Sequence, residues 1–330
     1  MEYSLINPLI VVRDVHFGST VIVAGIVFFD LFVASPTLRA IGSLLETTAI
    51  AFRVHTALAL WISLALSIVS GFAWLCLLAG RIVGKPIGDV IADGTVWILL
   101  SRTQFGFTWQ LRFVFGVFLA ACLLARRTKS HVTPIWQEAL AALLAGAYLG
   151  SLAFAGHGEE GLGFERNLHL AADFLHLNAA GLWLGGLIPL ALFLVYLRRF
   201  HEETWRTAAS DAAYRFSNLG IIAVATLLVS GTINVWFLIG GMQALVGTSY
   251  GRLLLLKITL FAAMVCLAGI NREYLLPRLS GDIGTNPASR VVQWLLRNSL
   301  VEIVLGIGII LIVGMLGIMA PATDMHVHLH

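Results

Sequence analysis

Long apolar stretches, separated by short polar segments, run through the whole chain. Eight of them are long enough to cross a bilayer, because about 20 apolar residues in a helix span its hydrocarbon core. The pattern therefore predicts an all-α polytopic membrane protein, a bundle of eight transmembrane helices that form a single domain over residues 1–330. The predicted helices lie near residues 15–35, 54–80, 104–125, 136–156, 169–196, 213–240, 251–271 and 295–319.

The longest connection, residues 81–103, carries a shorter apolar patch from Val96 to Leu100. This patch is too short to cross a bilayer. We expect it to form a short helix that lies in the membrane interface.

Composition supports the membrane class and excludes several others. Hydrophobic residues make up 58% of the 330 residues and charged residues only 12%, a balance that soluble domains do not have. The net charge of +3 is dispersed over short loops, so we expect lipid, and no nucleic acid, as a partner. The chain has no Walker A motif and no phosphorylation sequence of the ATP-driven pumps, and we expect that it is not an enzyme.

The distribution of Lys and Arg predicts an orientation. Alternate loops form two sets, and one set contains twice as many basic residues as the other. Because basic loops stay in the cytoplasm, the richer set should be cytoplasmic and both termini periplasmic. The sequence thus predicts a multi-pass protein of the bacterial inner membrane.

Three polar residues share one stripe of the fifth predicted helix. His169, Asp173 and His176 stand at i, i+4 and i+7 in an apolar run, within roughly 60° of one another around an α-helix. Polar groups at membrane depth are costly unless they are paired, hydrated or liganded. Packing against neighbouring helices would satisfy them. We nevertheless interpret the stripe as a metal site, because imidazole suits copper, zinc, iron or nickel.

Other candidate ligands lie on the same predicted side of the membrane. His157 precedes the stripe by one short connection, and His16 lies near the start of the first helix. Met315 and Met319 are one turn apart on the last helix, where their thioethers either pack or bind Cu⁺. The tail adds three alternating histidines, His326, His328 and His330.

A second polar set lies toward the predicted cytoplasmic side. It consists of Asp30 on the first helix, His55 at the start of the second and Glu302 on the eighth. Ionisable residues within a membrane mark ion or proton pathways by default. We interpret these three residues, with Met315 and Met319, as a possible transport path, and an internal hydrogen-bond network is the alternative.

Several segments resemble the CopD family of copper resistance proteins, which includes PcoD-like and YcnJ-like members. The resemblance covers nearly the whole chain and rests on the order and spacing of these segments. They are FGFTWQLR (105–112), the AGHG turn at His157, HLAADFLHLNAAGLWLGGL (169–187), SGTINVWFLIG (230–240), SYGRLLLLKITLF (249–261), NREYLLPRL (271–279) and VEIVLG (301–306).

The resemblance implies eight transmembrane helices, copper ions (Cu⁺ or Cu²⁺) as cargo and import from the periplasm toward the cytoplasm. It also implies a separate periplasmic partner, a CopC-like copper-binding protein. The positions that carry over are His157, His169, His176 and Glu302, with His16 and His55. Two other functions stay open at this point: a haem or redox protein that uses paired transmembrane histidines, and a copper receptor or scaffold that does not transport.

Overall fold

A computed structural model describes residues 7–41, 46–127, 134–155, 163–197, 203–239, 241–280 and 287–319. Every regular element in these ranges is helical, and eight helices are long and apolar enough to cross a membrane. The predicted all-α polytopic architecture is therefore confirmed. We call the eight crossings spans 1 to 8, and each is built from one or more helices.

The first four spans come from the first half of the chain. Span 1 comprises α1, a π-helical segment and α2. Span 2 is α3, span 3 is α6, and span 4 is α7 followed by a 3₁₀ turn. The bounds are α1 Pro8–Phe29, π Asp30–Ala34, α2 Ser35–Ile41, α3 Glu46–Val83, α4 Ile87–Ala92, α5 Thr95–Arg102, α6 Gln104–Arg127, α7 Ile135–Gly150 and 3₁₀ Ser151–Ala155.

The remaining spans include two further π-helical segments. Span 5 comprises α8, a π segment and α9, span 6 is α10, span 7 comprises α12, a π segment and α13, and span 8 is α14. The bounds are α8 Gly163–Ala180, π Gly181–Gly185, α9 Gly186–Leu197, α10 Glu203–Ile239, α11 Met242–Gly247, α12 Ser249–Ile270, π Asn271–Leu275, α13 Leu276–Ser280 and α14 Pro287–Leu316.

Span 1 begins seven residues before its predicted start. Asn7 caps α1 by accepting a hydrogen bond from the Leu9 N–H at 3.0 Å, and Pro8 occupies the first helical turn, where its fixed φ suits a helix start. Arg13 lies inside the helix and stacks over the Trp74 ring at 4.5 Å. The charged residues near the start of span 1 therefore do not interrupt the helix.

Span 1 is the centre of the bundle. It contacts spans 2, 4, 5 and 8 and is the most buried span, whereas spans 6 and 7 are the least buried. Large apolar side chains cover the outside, such as Val69, Phe113 and Val229, which are all more than 60% exposed. This exposure is expected where lipid, not water, surrounds the helices.

Spans 1 and 5 meet backbone to backbone. A Cβ atom placed on Gly25 would lie 2.1 Å from the Gly185 carbonyl carbon, and one placed on Gly185 would lie 2.2 Å from the Val21 oxygen. Only glycine permits this approach, as at other close contacts between membrane helices. The contact fixes the position of span 5, which carries the predicted polar stripe, against the central helix.

The connection between spans 2 and 3 contains two short helices. α5 covers the apolar patch that predicted one, and its Val96 side chain is buried against the end of span 2. Asp93 accepts hydrogen bonds from Lys85 and from the backbone and hydroxyl of Thr95, and these bonds lower the pKa of Asp93 to about 2.

Consecutive spans cross in opposite directions, so the bundle has two ends. We call the end where span 1 begins the near end; spans 2, 4, 6 and 8 finish there. The other end is the far end. The predicted stripe lies toward the near end, and Asp30 lies toward the far end. Whether the bundle is one domain stays a prediction.

Candidate metal site

The site is built between α8 and α10 at the near end. His169 is 4% exposed, and its ring stacks on Phe237 with centroids 4.9 Å apart and planes at 14°. One turn later, Asp173 Oδ1 accepts a hydrogen bond from Asn234 Nδ2 at 2.5 Å. These two pairs form successive cross-links between the helices. His169 and Asp173 are four residues apart on α8, and they face Phe237 and Asn234, which are three residues apart on α10.

Two buried atoms in these cross-links have no hydrogen-bond partner among the residues that the structure describes. They are His169 Nε2 and Asn234 Oδ1. His169 Nε2 lies 3.8 Å from Asp173 Oδ2, which is longer than the ~3.2 Å limit of an N–H···O bond. Buried polar atoms in native proteins are nearly always paired, so these two atoms point to a missing ligand.

The 3.8 Å separation fits two ligands of one metal ion. Bonds from zinc-like ions to His nitrogen and carboxylate oxygen are about 2.0–2.2 Å long. Two ligand atoms on such an ion therefore stand about 3 to 4 Å apart, depending on the angle between the bonds. His169 and Asp173, which the i, i+4 spacing predicted to be neighbours, thus stand at a separation that is compatible with two ligands of one metal ion.

His176, the third member of the predicted stripe, lies in a different environment. Its Nδ1 is 3.0 Å from Ser230 Oγ, and Ser230 Oγ donates to the Thr226 carbonyl at 2.6 Å. Because the Ser230 proton is engaged there, His176 donates from Nδ1 and its Nε2 keeps a lone pair. Seven residues of helix separate His169 and His176 by about 10 Å, too far to share one ion. Within the described ranges, no three His, Cys, Asp or Glu side chains cluster as ligands.

His176 lines the first of two cavities between spans 5 to 8. This cavity has a volume of about 320 Å³ and is also lined by Lys257, Leu254 and Phe261. The Lys257 ammonium interacts electrostatically with His176 and with Asp173. The Lys257 side chain therefore lies beside the candidate ligand His176.

The second cavity lies nearer the far end and has a volume of about 340 Å³. Its polar wall consists of Asn271, Arg272, Ser299 and Glu302, and the rest is apolar. Trp183 lines both cavities and is itself 3% exposed. Leu228 also lines both, and we call the boundary that Trp183 and Leu228 share between the two cavities the partition.

Glu302 is held at this partition. It is 2% exposed and accepts a hydrogen bond from Asn271 Nδ2 at 3.0 Å. Trp183 and Asn271, which line the same cavity as Glu302, both belong to π-helical segments, which occur frequently at functional sites. The π turns of spans 5 and 7 thus lie beside one buried carboxyl group on span 8, and Asn271 donates to it.

His16 belongs to a hydrogen-bond network in which both of its ring nitrogens have partners. Its ring is fully buried, Nδ1 lies 2.9 Å from the Ser67 carbonyl, and Nε2 lies 2.8 Å from Arg112 Nη2. The guanidinium can only donate, so Nε2 accepts and Nδ1 donates. Arg112 also donates to the Tyr148 carbonyl and to Ser151 Oγ. Both ring nitrogens are occupied, and a metal would have to displace one of these partners.

Asp30 and His55 lie at the far end in two further environments. Asp30 forms an ion pair with Arg126 and accepts a hydrogen bond from Ser35. His55 Nδ1 is exposed and lies 2.7 Å from the Tyr196 hydroxyl. With Glu302 at the Trp183 partition, the three residues of the second predicted set occupy three separate surroundings.

The two methionines line one cavity near the start of span 7. Met315 and Met319 border it together with Ile10 and Arg252, and Met319 is part of an apolar cluster of spans 6 to 8. Their spacing thus serves packing in this structure. The predicted ligand His157 and the three tail histidines, for which metal binding was left open, lie outside the described residues. The tail histidines are His326, His328 and His330.

Several residues of these sites were not predicted from the sequence. Asn234 stands in an apolar segment without a characteristic spacing, and Trp183 has the composition of a packing residue. Glu138 is 2% exposed and accepts hydrogen bonds from Ser35 and Arg39 at the far end. The available signal was the polarity of Asn234 and Glu138 at membrane depth.

Comparison with known families assigns the chain. A family model described as copper resistance protein D-like, N-terminal domain, matches residues 4–167, and one described as copper resistance protein D matches residues 210–316. The chain belongs to the copper resistance protein D family. The expected family relationship is therefore confirmed. Asn234, Lys257 and Glu302 lie in the second matched segment, whereas His169 and His176 lie between the two.

Individual members of the family match over most of the chain. The inner membrane protein YebZ of Escherichia coli (strain K12) is 29% identical over 313 residues, which cover 94% of this chain and 98% of that protein. Copper resistance protein D of Pseudomonas syringae pv. tomato is 28% identical over 322 residues, 96% and 98% of the two chains. The copper transport protein CutJ of Bacillus subtilis (strain 168) is 30% identical over 192 residues, 57% of this chain and 34% of that protein.

Proposed function

We propose that this protein carries copper ions across the bacterial inner membrane, from the periplasm toward the cytoplasm. His169 and Asp173 receive the ion at the near end, which the distribution of basic residues orients toward the periplasm. The observation that carries the proposal is the buried Nε2 of His169, which has no hydrogen-bond partner among the described residues and lies 3.8 Å from the Asp173 carboxylate. The names of the relatives, copper resistance and copper transport proteins, support copper as the cargo.

The route from the site leads along spans 5 to 8. The lone pair of His176 Nε2 in the first cavity offers the next ligand, and Glu302 offers a carboxyl group at the second cavity. Trp183 and Leu228 line both cavities, so we expect passage to require movement of the Trp183 indole. A small periplasmic copper-binding protein of the CopC kind would deliver the ion to the near end.

Copper binding by purified variants tests the site. We expect His169→Leu to weaken copper binding at least about 100-fold, because it removes a first ligand, whereas loss of an outer partner costs about 10–100-fold. His55→Gln is the matched control, since His55 lies at the far end, and it should bind like the wild type. Equal affinity of His169→Leu and the wild type would refute the site.

Flux into proteoliposomes tests transport. Protein reconstituted with a copper-sensitive dye inside the vesicles should admit copper, and Glu302→Leu should slow entry while leaving binding at His169 intact. Binding without flux in the wild type would instead favour a receptor or scaffold. A Soret band in the visible spectrum of the purified protein would favour a haem protein.

A further inference from the structure

We infer that the second cavity binds a negatively charged phospholipid, with the lipid phosphate at Arg272 and one acyl chain inside the cavity. The inference goes beyond the proposed function and does not depend on copper. It concerns the side of the bundle where spans 6 and 7 face the bilayer. The cavity volume of about 340 Å³ lies in the range of ligand-binding pockets.

The second cavity is accessible from the side of the bundle. Ile221 and Leu228 of span 6 line the cavity, and they are 51% and 55% exposed. Gly269 of span 7 lines it as well and is also exposed. The cavity is therefore not closed off from the surroundings of the bundle, and a lipid chain can reach it directly from the bilayer.

Two glycines border the cavity without serving a close contact between helices. Gly220 on span 6 and Gly269 on span 7 both line it, and a Cβ atom placed on either would meet no atom of the described residues within 4 Å. Glycines in membrane helices usually let two backbones approach, as Gly25 and Gly185 do in this protein. The space beside Gly220 and Gly269 is not filled by the described protein atoms, so a guest molecule can use it.

The wall of the cavity is apolar over most of its area, as an acyl chain requires. Leu187, Leu190, Val224 and Val265 contribute to this apolar part, where a hydrocarbon chain gains dispersion contacts. The acidic residue of the wall, Glu302, is only 2% exposed and accepts a hydrogen bond from Asn271. Little of its surface is therefore available to oppose an apolar guest.

Arg272 is the group that would hold the phosphate. Its Nη1 donates to Ser217 Oγ at 2.8 Å and to Asn218 Oδ1 at 2.9 Å, and these bonds hold the guanidinium between spans 6 and 7. Its Nη2 has no hydrogen-bond partner among the described residues. Glu273 Oε1 lies 3.8 Å from Nε, but the Glu273 side chain is 73% exposed, so water and salt screen its charge.

The depth of Arg272 suits a lipid headgroup. Span 7 has 31 residues, about ten more than the hydrocarbon core requires, so its ends extend into the headgroup region. Arg272 lies seven residues before Leu279, where the span ends, and a long arginine side chain reaches from there toward the interface. Guanidinium groups bind phosphate through charge-assisted hydrogen bonds, and basic pockets between membrane helices bind anionic headgroups.

Native mass spectrometry of the full-length protein in detergent tests the inference. The protein is titrated with phosphatidylglycerol or with phosphatidylcholine of the same acyl chains. We expect one tightly bound phosphatidylglycerol and binding of phosphatidylcholine that is about tenfold weaker or less, because its ammonium group opposes Arg272. Equal binding of the two lipids would overturn the charged headgroup, and a quinone in the organic extract of the purified protein in place of phospholipid would overturn the class of ligand.

A substitution of Arg272 tests the phosphate contact. Arg272→Gln should weaken phosphatidylglycerol binding about tenfold or more, because it removes charge-assisted hydrogen bonds. Arg297→Gln is the matched control. Arg297 lies seven residues after the start of span 8, at the same end of the bundle, but it stacks on Trp294 and lines a different cavity. Equal losses in the two variants, or no loss in Arg272→Gln, would overturn the assignment.

A substitution of Gly269 tests the acyl-chain site and does not depend on whether the Arg272 variant folds. Gly269→Leu places a side chain in the space beside the cavity and should weaken phosphatidylglycerol binding about tenfold or more while Arg272 stays in place. Gly88→Leu, at a glycine of α4 that also has open space around it, is the control and should bind the lipid like the wild type. Unchanged lipid binding by Gly269→Leu would show that the chain does not enter this cavity.

Discussion

Two histidines at the near end of the bundle have opposite surroundings. His16 on span 1 is fully buried, and both of its nitrogens are engaged, by the Ser67 carbonyl and by Arg112. His169 on span 5 is 4% exposed, and its Nε2 has no hydrogen-bond partner in the described part of the chain. The same residue type therefore completes a structural network in one place and, in the other, keeps a ring nitrogen without a hydrogen-bond partner among the described residues.

The comparison indicates which feature would distinguish a binding site in a membrane bundle. Burial does not distinguish the two histidines, because both rings are buried. A ring nitrogen without a hydrogen-bond partner does distinguish them, since a protein keeps such an atom only where another molecule provides the partner or the energetic cost is accepted for function. Three predictions test this distinction, and they begin with the largest expected effect.

Loss of Arg112 should damage the fold most. Arg112→Leu removes hydrogen bonds to His16, to the Tyr148 carbonyl and to Ser151, and each such bond to a charged group contributes about 1.5–3 kcal/mol. We expect thermal unfolding in detergent to show a loss of about 3 kcal/mol or more. The exposed Arg297→Leu is the control, and a similar small change in both variants would show that the network does not stabilise the protein.

Separate substitutions of the two histidines should distinguish an effect on protein stability from an effect on copper binding. His16→Gln should lower the free energy of unfolding by about 1–3 kcal/mol, because it disturbs a satisfied buried network, and should leave copper affinity unchanged. His169→Leu should abolish copper binding and leave the free energy of unfolding unchanged or higher, since an apolar side chain replaces an unpaired polar atom. Thermal unfolding and copper titration of both variants give the answer.

If His16→Gln lost copper binding while it stayed stable, His16 would be a ligand and the contrast between the two histidines would disappear.

Removal of the Lys257 charge should have the smallest effect. Lys257 interacts electrostatically with Asp173 and His176, and charges in partly buried surroundings repel an incoming cation by about 1–2 kcal/mol. Lys257→Met should therefore raise copper affinity roughly tenfold, whereas Lys257→Arg, which keeps the charge, should not. Unchanged affinity in the methionine variant would mean that the ammonium does not act on the site.

The fold could be predicted from the sequence because the surrounding lipid restricts which backbone structures are possible. Lipid requires every backbone group to be bonded within its own segment, so apolar stretches of sufficient length become helices, and eight were found. The three π-helical segments could not be predicted. They depend on how spans 1, 5 and 7 pack, as in the contact of Gly25 with Gly185, and a pattern of polarity does not record such contacts.

The arrangement of the candidate residues follows from the sequence in part, and the limit has a physical cause. The i, i+4 spacing of His169 and Asp173 determines their distance within one helix, and the structure keeps them together. The i+7 position of His176 shares the stripe but lies two turns away, so direction around the helix is a poor guide to distance along it. Asn234, which donates to Asp173, belongs to another helix, and the relative position of two helices is not encoded in any single spacing.

The π-helical segment Gly181–Gly185 has one consequence for the orientation of the two halves of span 5. Such a wide turn holds one residue more than an α-helix would need, and deletion of a single residue there would restore ordinary winding. The remainder of span 5, with Pro189, would then rotate by about 100° relative to the part that carries His169. The π turn therefore sets the orientation of the second half of span 5 relative to the half that carries His169 and Asp173.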